Sequence, residues 1–312
     1  MKKLAIIYNE KHYLHAPPFE HAERPQRIKT VYDYLKAEDF LSEADIFFPN
    51  PAAKEDIVSV HLENHYDFIY ESIKAGRTML DEGDTYAVKD SLNVALLSAG
   101  CGLKAVELVM NEDYENVFCL TRPPGHHAEK DHPMGFCFFN NIALTAQRLI
   151  DKYNFERIAI IDFDVHHGNG TQNIFYDTNE VLFISLHQYP FYPGSGDENE
   201  TGKDAGKGFT LNFPLPAGTN GNTYRKIFED TIIKMLETYN PQILLISAGF
   251  DAHKDDPLAN MNLTNEDFYA ITKVLKDFSV ENNLPLISIL EGGYNLSALS
   301  KSVLQHLKAL TD

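Results

Sequence analysis

Five short apolar runs constrain this chain more than any other feature. They are 117–120 (Val-Phe-Cys-Leu), 158–161 (Ile-Ala-Ile-Ile), 181–185 (Val-Leu-Phe-Ile-Ser), 243–247 (Ile-Leu-Leu-Ile-Ser) and 286–290 (Leu-Ile-Ser-Ile-Leu). A strand with one wet face alternates apolar and polar residues. A strand covered on both faces does not, and reads as a near-continuous run. Segments with helical spacing separate the runs, at 141–152, 222–239, 265–281 and 296–310, and an Ala- and Leu-rich stretch at 91–110 precedes them. Strands alternating with helices predict an α/β fold: a mostly parallel sheet with helices on both faces. A strand at 4–8, a helix opened by Pro25, a strand at 46–48, a helix at 64–75 and a strand at 209–213 closed by Pro214 complete the pattern. Residues 80–90 hold many acids and predict an exposed loop. No repeat or linker divides the chain, so a single domain over 1–312 is expected.

Four of these runs end in polar residues that chemistry can use. The first leads to Arg122-Pro-Pro-Gly-His126-His127 and the second to Asp162-Phe-Asp164-Val-His166. The fourth leads to Gly249-Phe-Asp251 and the fifth to Glu291-Gly-Gly-Tyr294. In a parallel sheet all of these ends share one edge, where open α/β proteins bind ligands. Asp164 and His166 are two apart, so in an extended segment their side chains point the same way. Asp251 can complete a set of two carboxylates and one imidazole. That set balances a divalent charge and leaves a position open; it suits zinc, and also Fe2+ or Mn2+. An isolated Asp-x-His is more often a solvated loop, and an isolated Asp a turn or cap residue. Four separate segments converging on one edge outweigh those readings.

Two imidazoles beside a metal can move protons, because histidine titrates near pH 6.5. One of His126 and His127 can take a proton from water, and the other can stay charged or donate to a leaving group. Asp162 and Asn169 are candidate partners for the two rings. Asp162 would raise the basicity of its partner, and the neutral Asn169 would raise the other less. Tyr294 follows two glycines that let the loop turn sharply, and its hydroxyl can donate to a forming oxyanion. His167 points to the opposite side of the segment and reads as structural.

A net charge of -18 argues against nucleic acid or an anionic membrane as a partner. It suits a cationic substrate, and equally plain solubility. The three cysteines form no Cys-x-x-Cys pair, which disfavours a disulfide framework or a thiolate metal site. Met1-Lys2-Lys3 is followed by an apolar run too short for a signal sequence, and nothing later approaches membrane-spanning length, so cytoplasmic residence is the expectation.

These motifs, from Glu23-Arg-Pro-Gln-Arg27 through Ser247-Ala-Gly-Phe-Asp251 to Glu291-Gly-Gly-Tyr294, resemble the histone deacetylase superfamily over most of the chain. The choice of Asn169 and Glu291 resembles its class II branch and bacterial amidohydrolases. The resemblance implies an arginase-deacetylase fold with zinc held by Asp164, His166 and Asp251. It implies that His126 and His127 act as general base and acid, with Asp162 and Asn169 as their dyad partners, and that Tyr294 polarises the amide carbonyl. It implies a structural potassium held by Asp162, Ser185, Leu186 and the Asp164 and His166 backbones. Gly135, Phe136, Tyr192 and Leu258 would line a substrate tunnel, Arg27 an inner exit channel, and Asp84 the rim. Leu258 stands where a polyamine-selective relative carries an acid, which favours acyl-lysine in a protein or peptide over an acylated small amine. A binuclear ureohydrolase would need further carboxylates than 166–169 supply, and a dead acyl-lysine reader would be expected to lack one of these residues. Acyl length, native metal and oligomeric state are not legible in the sequence.

Overall fold

The computed structural model describes residues 4–111 and 114–312; Met1 to Lys3 lie outside the described residues. Among the described residues, eight strands form one sheet: β1 (Leu4–Ile7), β2 (Ala44–Phe47), β3 (Asn116–Cys119), β4 (Ile158–Asp162), β5 (Val181–Gln188), β6 (Thr210–Leu215), β7 (Ile243–Ala248) and β8 (Leu286–Leu290). Their order is β2-β1-β3-β8-β7-β4-β5-β6, and every neighbouring pair is parallel. The four central strands, β3, β8, β7 and β4, are the four that lead into the polar motifs.

The helices are α1 (Gln26–Ala37), α2 (Lys54–Ile57), α3 (Glu63–Lys74), α4 (Ser91–Asn111), α5 (Asn141–Tyr153), α6 (Asn169–Phe175), α7 (Gly221–Ile227), α8 (Ile233–Tyr239), α9 (Asn265–Glu281) and α10 (Leu296–Thr311). Alternate strand residues feed two separate cores. Leu4, Ile6, Leu244 and Ile246 pack with Val31 of α1, Phe268 of α9 and Leu307 of α10. Ala5, Ile7, Ile243 and Leu245 pack on the other face with Ile69 of α3, Ala99 of α4 and Ile142 of α5. This double cover is why the runs carry no polar alternation. Burying each large aliphatic side chain contributes roughly 1.5–3 kcal/mol.

Four expectations change. Residues 80–90 are not simply an exposed loop, because Leu80, Thr85, Tyr86 and Ala87 are buried. Strand β6 runs through Pro214 instead of stopping there. It is an edge strand, where a missing N–H is tolerated. The helix predicted over 222–239 holds a π turn at Phe228–Ile232 between α7 and α8, with Phe228 and Ile232 buried beneath it. Helix α4 is long and apolar enough to cross a membrane by length and composition, yet most of it is buried inside the molecule.

Candidate active site

The site begins where β4 ends. Asp162 is the last residue of the strand, and the chain stays buried through Gly170. His166 Nδ1 lies 3.1 Å from Asp164 Oδ1 and 3.3 Å from Asp251 Oδ2. These spacings are close to the ~3.3 Å edge of a tetrahedron built on ~2.0 Å bonds. The backbone steers both acids: Gly292 N–H donates to Asp164 Oδ2 at 2.8 Å and Val165 N–H to Asp251 Oδ1 at 2.9 Å. Asp251 Oδ2 is buried and accepts no hydrogen bond. A buried carboxylate oxygen left without a donor fits a cation as its missing partner. A side chain at 292 would meet Asp251 Oδ2 at 2.0 Å, so only glycine lets this backbone approach. Burial raises the Asp251 pKa and the charge of Asp164 raises it further. For Asp164, burial is outweighed by His126 and His166, and its carboxyl is held low. A divalent ion fits this donor set.

His126 and His127 come from the loop after β3. Glu291, from the loop after β8, holds that loop by accepting Gly125 N–H at 2.6 Å and His126 N–H at 3.2 Å on one oxygen. The two rings differ in their partners. His126 Nδ1 donates to Asp162 Oδ2 at 3.0 Å, and His127 Nδ1 to Asn169 Oδ1 at 2.7 Å. Burial opposes charge on both. Around His126 the carboxylates of Asp162 and Asp164 overcome it and carry the pKa up to about 10. His127 faces a neutral amide and the neighbouring His126 and His166, and is pushed well below its ordinary value. The surroundings thus bias the two rings in opposite directions, His126 towards its charged form and His127 towards its neutral one.

A narrow cavity of about 170 Å³ leads to this cluster. His127, His166 and Tyr294 line it together with Gly135, Phe136, Tyr192, Leu258, Asp84 and Phe191. Gly135 has φ +58°, and a side chain there would meet the His127 ring at 2.4 Å. Its N–H donates to Asp84 at 3.3 Å, and Phe136 N–H donates to Thr85 Oγ1 at 3.1 Å. The buried part of the 80–90 loop therefore braces the cavity wall. The Tyr294 ring packs edge-on against Phe136 and beneath the Arg27 guanidinium. Arg27 in turn donates to the carbonyls of Gly293 and Glu291, fixing the approach to Tyr294.

Two contributors were not anticipated. Phe191 stacks on the His166 ring with centroids 5.5 Å apart. Asp256 accepts from Tyr294 N–H at 2.7 Å, Asn295 N–H at 3.2 Å and Leu258 N–H at 3.0 Å, tying two cavity loops together. Its one sequence signal was a place in the polar stretch after Asp251. His167 lies away from the cluster, bonded to Ser195 Oγ at 2.8 Å and Gln172 Oε1 at 3.0 Å. Asp162 and Ser185 are register partners across β4 and β5, and Leu186 follows, buried.

The profile of the histone deacetylase domain family matches residues 21–310. The chain belongs to the histone deacetylase family. A probable deacetylase of Archaeoglobus fulgidus is 38% identical over 295 residues, covering 93% of this chain and 81% of that one. A histone deacetylase-like amidohydrolase of Pseudomonas aeruginosa is 36% identical over 277 residues, covering 88% and 73%. The crystal structure of the HDA15 HD domain superposes with a TM-score of 0.91 at 33% identity, covering 99% of this chain and 90% of that chain. The fold is thus the arginase-deacetylase α/β fold, as the sequence motifs implied.

Proposed function

We propose that this member of the histone deacetylase family is a zinc-dependent amidohydrolase that removes acetyl or related acyl groups from lysine side chains of a protein or peptide. The observation that carries the reading is the end of the narrow cavity. There a buried carboxylate–imidazole cluster, two differently partnered histidines and a tyrosine meet a slender passage walled by Phe136, Tyr192 and Leu258. Asp164, His166 and Asp251 would hold the ion; the donors also suit Fe2+. When bound, a divalent ion supplies Lewis-acid polarisation of the amide carbonyl and makes water a better nucleophile. His127, uncharged, takes the proton of the attacking water and passes it to the amine nitrogen as the carbon–nitrogen bond breaks, releasing the free lysine amine and the carboxylate. His126 stays charged and stabilises developing negative charge. The Tyr294 hydroxyl donates to the tetrahedral oxyanion. Asp162, Ser185, the Leu186 carbonyl and the Asp164 and His166 backbones would hold a potassium ion that stiffens the end of β4.

A second reading is hydrolysis of acylated small amines. It is favoured by the acids Asp81, Glu82 and Asp84 near the mouth, which would draw a second ammonium group. The Leu258 wall supports the lysine reading instead. The test is turnover of an acyl-lysine peptide series and acetylspermidine by protein stripped of metal and reloaded with zinc or iron, scored by mass spectrometry. Acetylspermidine turned over with higher kcat/KM than every peptide would overturn the lysine assignment. No turnover of any substrate would overturn the amidohydrolase.

A further inference from the structure

We infer that Glu129 is a positioning residue for His127, acting through Asn169 to fix which nitrogen of that ring carries the proton. The inference rests on the reading of His127 as a proton-transferring group. An asparagine side chain can rotate by half a turn and swap a donor for an acceptor with almost no change of shape. Its neighbours must therefore decide which end faces which group. Here Asn169 Oδ1 lies 2.7 Å from His127 Nδ1, and Asn169 Nδ2 lies 2.6 Å from Glu129 Oε1. A carboxylate only accepts, so the amide NH2 must face Glu129. The other contacts of that NH2 are weaker, with Met134 Sδ at 3.2 Å and the His127 carbonyl at 3.4 Å. The short, charge-assisted contact dominates the choice.

Glu129 is itself held in place. Its N–H donates to the His132 carbonyl at 3.1 Å. Its carbonyl accepts from His61 Nδ1 at 2.8 Å, while His61 Nε2 accepts from Asn140 N–H at 2.9 Å. With both backbone groups engaged, the stretch of loop that carries the carboxylate is anchored beside Asn169. Glu129 and Asn169 also line a polar cleft of about 500 Å³ with Gln172, Ser195 and Glu200, and that cleft does not include the substrate cavity residues. Glu129 therefore acts from behind the site and touches no acyl group.

The consequence falls on His127. With the Asn169 carbonyl facing it, Nδ1 carries the hydrogen and Nε2 presents a lone pair. With the amide turned over, Nδ1 would face a donor, and the ring would carry its hydrogen on Nε2, unfit to accept a proton from water. Glutamate at 129 and asparagine at 169 thus work as a matched pair. A carboxylate at 169 would oppose Glu129 directly and would need a cation at 129 instead.

The test is a four-variant cycle on the zinc-loaded enzyme: E129Q, E129K, N169D and E129K/N169D. E129Q keeps an acceptor oxygen and should retain turnover to within ~threefold. E129K turns the amide and N169D sets two carboxylates together, so each should lower kcat by at least ~tenfold with little change in KM. The double variant should recover most of either loss. Nitrogen-15 spectra of histidine-labelled protein read the tautomer without any substrate: His127 should be protonated at Nδ1 in wild type and at Nε2 in E129K. That readout stands even if no acyl-lysine substrate turns over. Should E129K fail to fold, E129A should lower kcat in the Asn169 background and raise it in N169D. An E129K enzyme with unchanged kcat and an Nδ1–H ring, or no recovery in the double variant, would overturn the inference.

Discussion

At the scale of single residues, the site tests best where one atom carries one job. Tyr294 is one of the side chains that line the cavity beside His127 and His166. Its replacement by Phe keeps the ring against Phe136 and Arg27, and is expected to lower kcat by about 10²–10³ with zinc content unchanged by elemental analysis. Gly135 tests shape instead of charge. Its φ of +58° and the 2.4 Å approach to His127 leave no room for a methyl group. G135A should cost about 1–3 kcal/mol of stability from backbone strain and lower kcat as His127 shifts, measured by thermal melts and kinetics together. The candidate ligand cluster of Asp164, His166 and Asp251 was legible as acids and a histidine just beyond strand ends, although residues 164–166 bend instead of running extended as the two-residue spacing assumed. Glu129 and Asp256 were not. Each works by receiving N–H groups from residues whose proximity only the folded chain creates.

At the scale of elements, the loops after β3 and β8 depend on each other through Glu291. Its Oε2 accepts two backbone N–H groups while its Oε1, buried, accepts none. E291A leaves both N–H groups without a partner, at about 1–3 kcal/mol each, and should lower both melting temperature and kcat. E291Q keeps an oxygen for both donors and should fold with much smaller loss. Either result is read by calorimetry and steady-state kinetics, and equal loss in both variants would show that the charge, not the acceptor, matters. The strands were readable because burial on both faces erases alternation. The 80–90 loop was misread because its acids hide the fact that Thr85 and Tyr86 turn inward. The π turn left no mark in a helical pattern that continues on both sides of it.

At the scale of the molecule, the candidate metal site and pH are both testable through the stability of the whole fold. If Asp164, His166 and Asp251 hold a divalent ion, its removal leaves two buried carboxylates balanced by the neighbouring imidazoles alone, so chelation should lower the melting temperature and added zinc should restore it. A ligand at a hundred times its Kd contributes about 2.7 kcal/mol. For pH, His306 is clear of the metal site. It is buried between Thr272 Oγ1 at 2.7 Å and Ser288 Oγ at 2.9 Å, and burial pushes its pKa down to about 3. The unfolded chain protonates this ring near pH 6.5. Its contribution to stability is therefore complete above about pH 6.5 and is lost as pH falls towards 3. The stability gap between wild type and H306Q should narrow between pH 7 and pH 4.5, as followed by thermal melts.

The order of the strands bears on how the protein is made. Strand β8 sits between β3 and β7, with Asn116 facing Leu286 on one side and Leu244 facing Leu286 on the other. A nascent chain that has emerged only as far as β7 holds two partial sheets, β2-β1-β3 and β7-β4-β5-β6, with no strand to join them. His126 belongs to one and Asp164, His166 and Asp251 to the other. Without β8 the two histidines and the carboxylate–imidazole cluster share no continuous sheet, so the candidate site depends on one strand wedged into the middle.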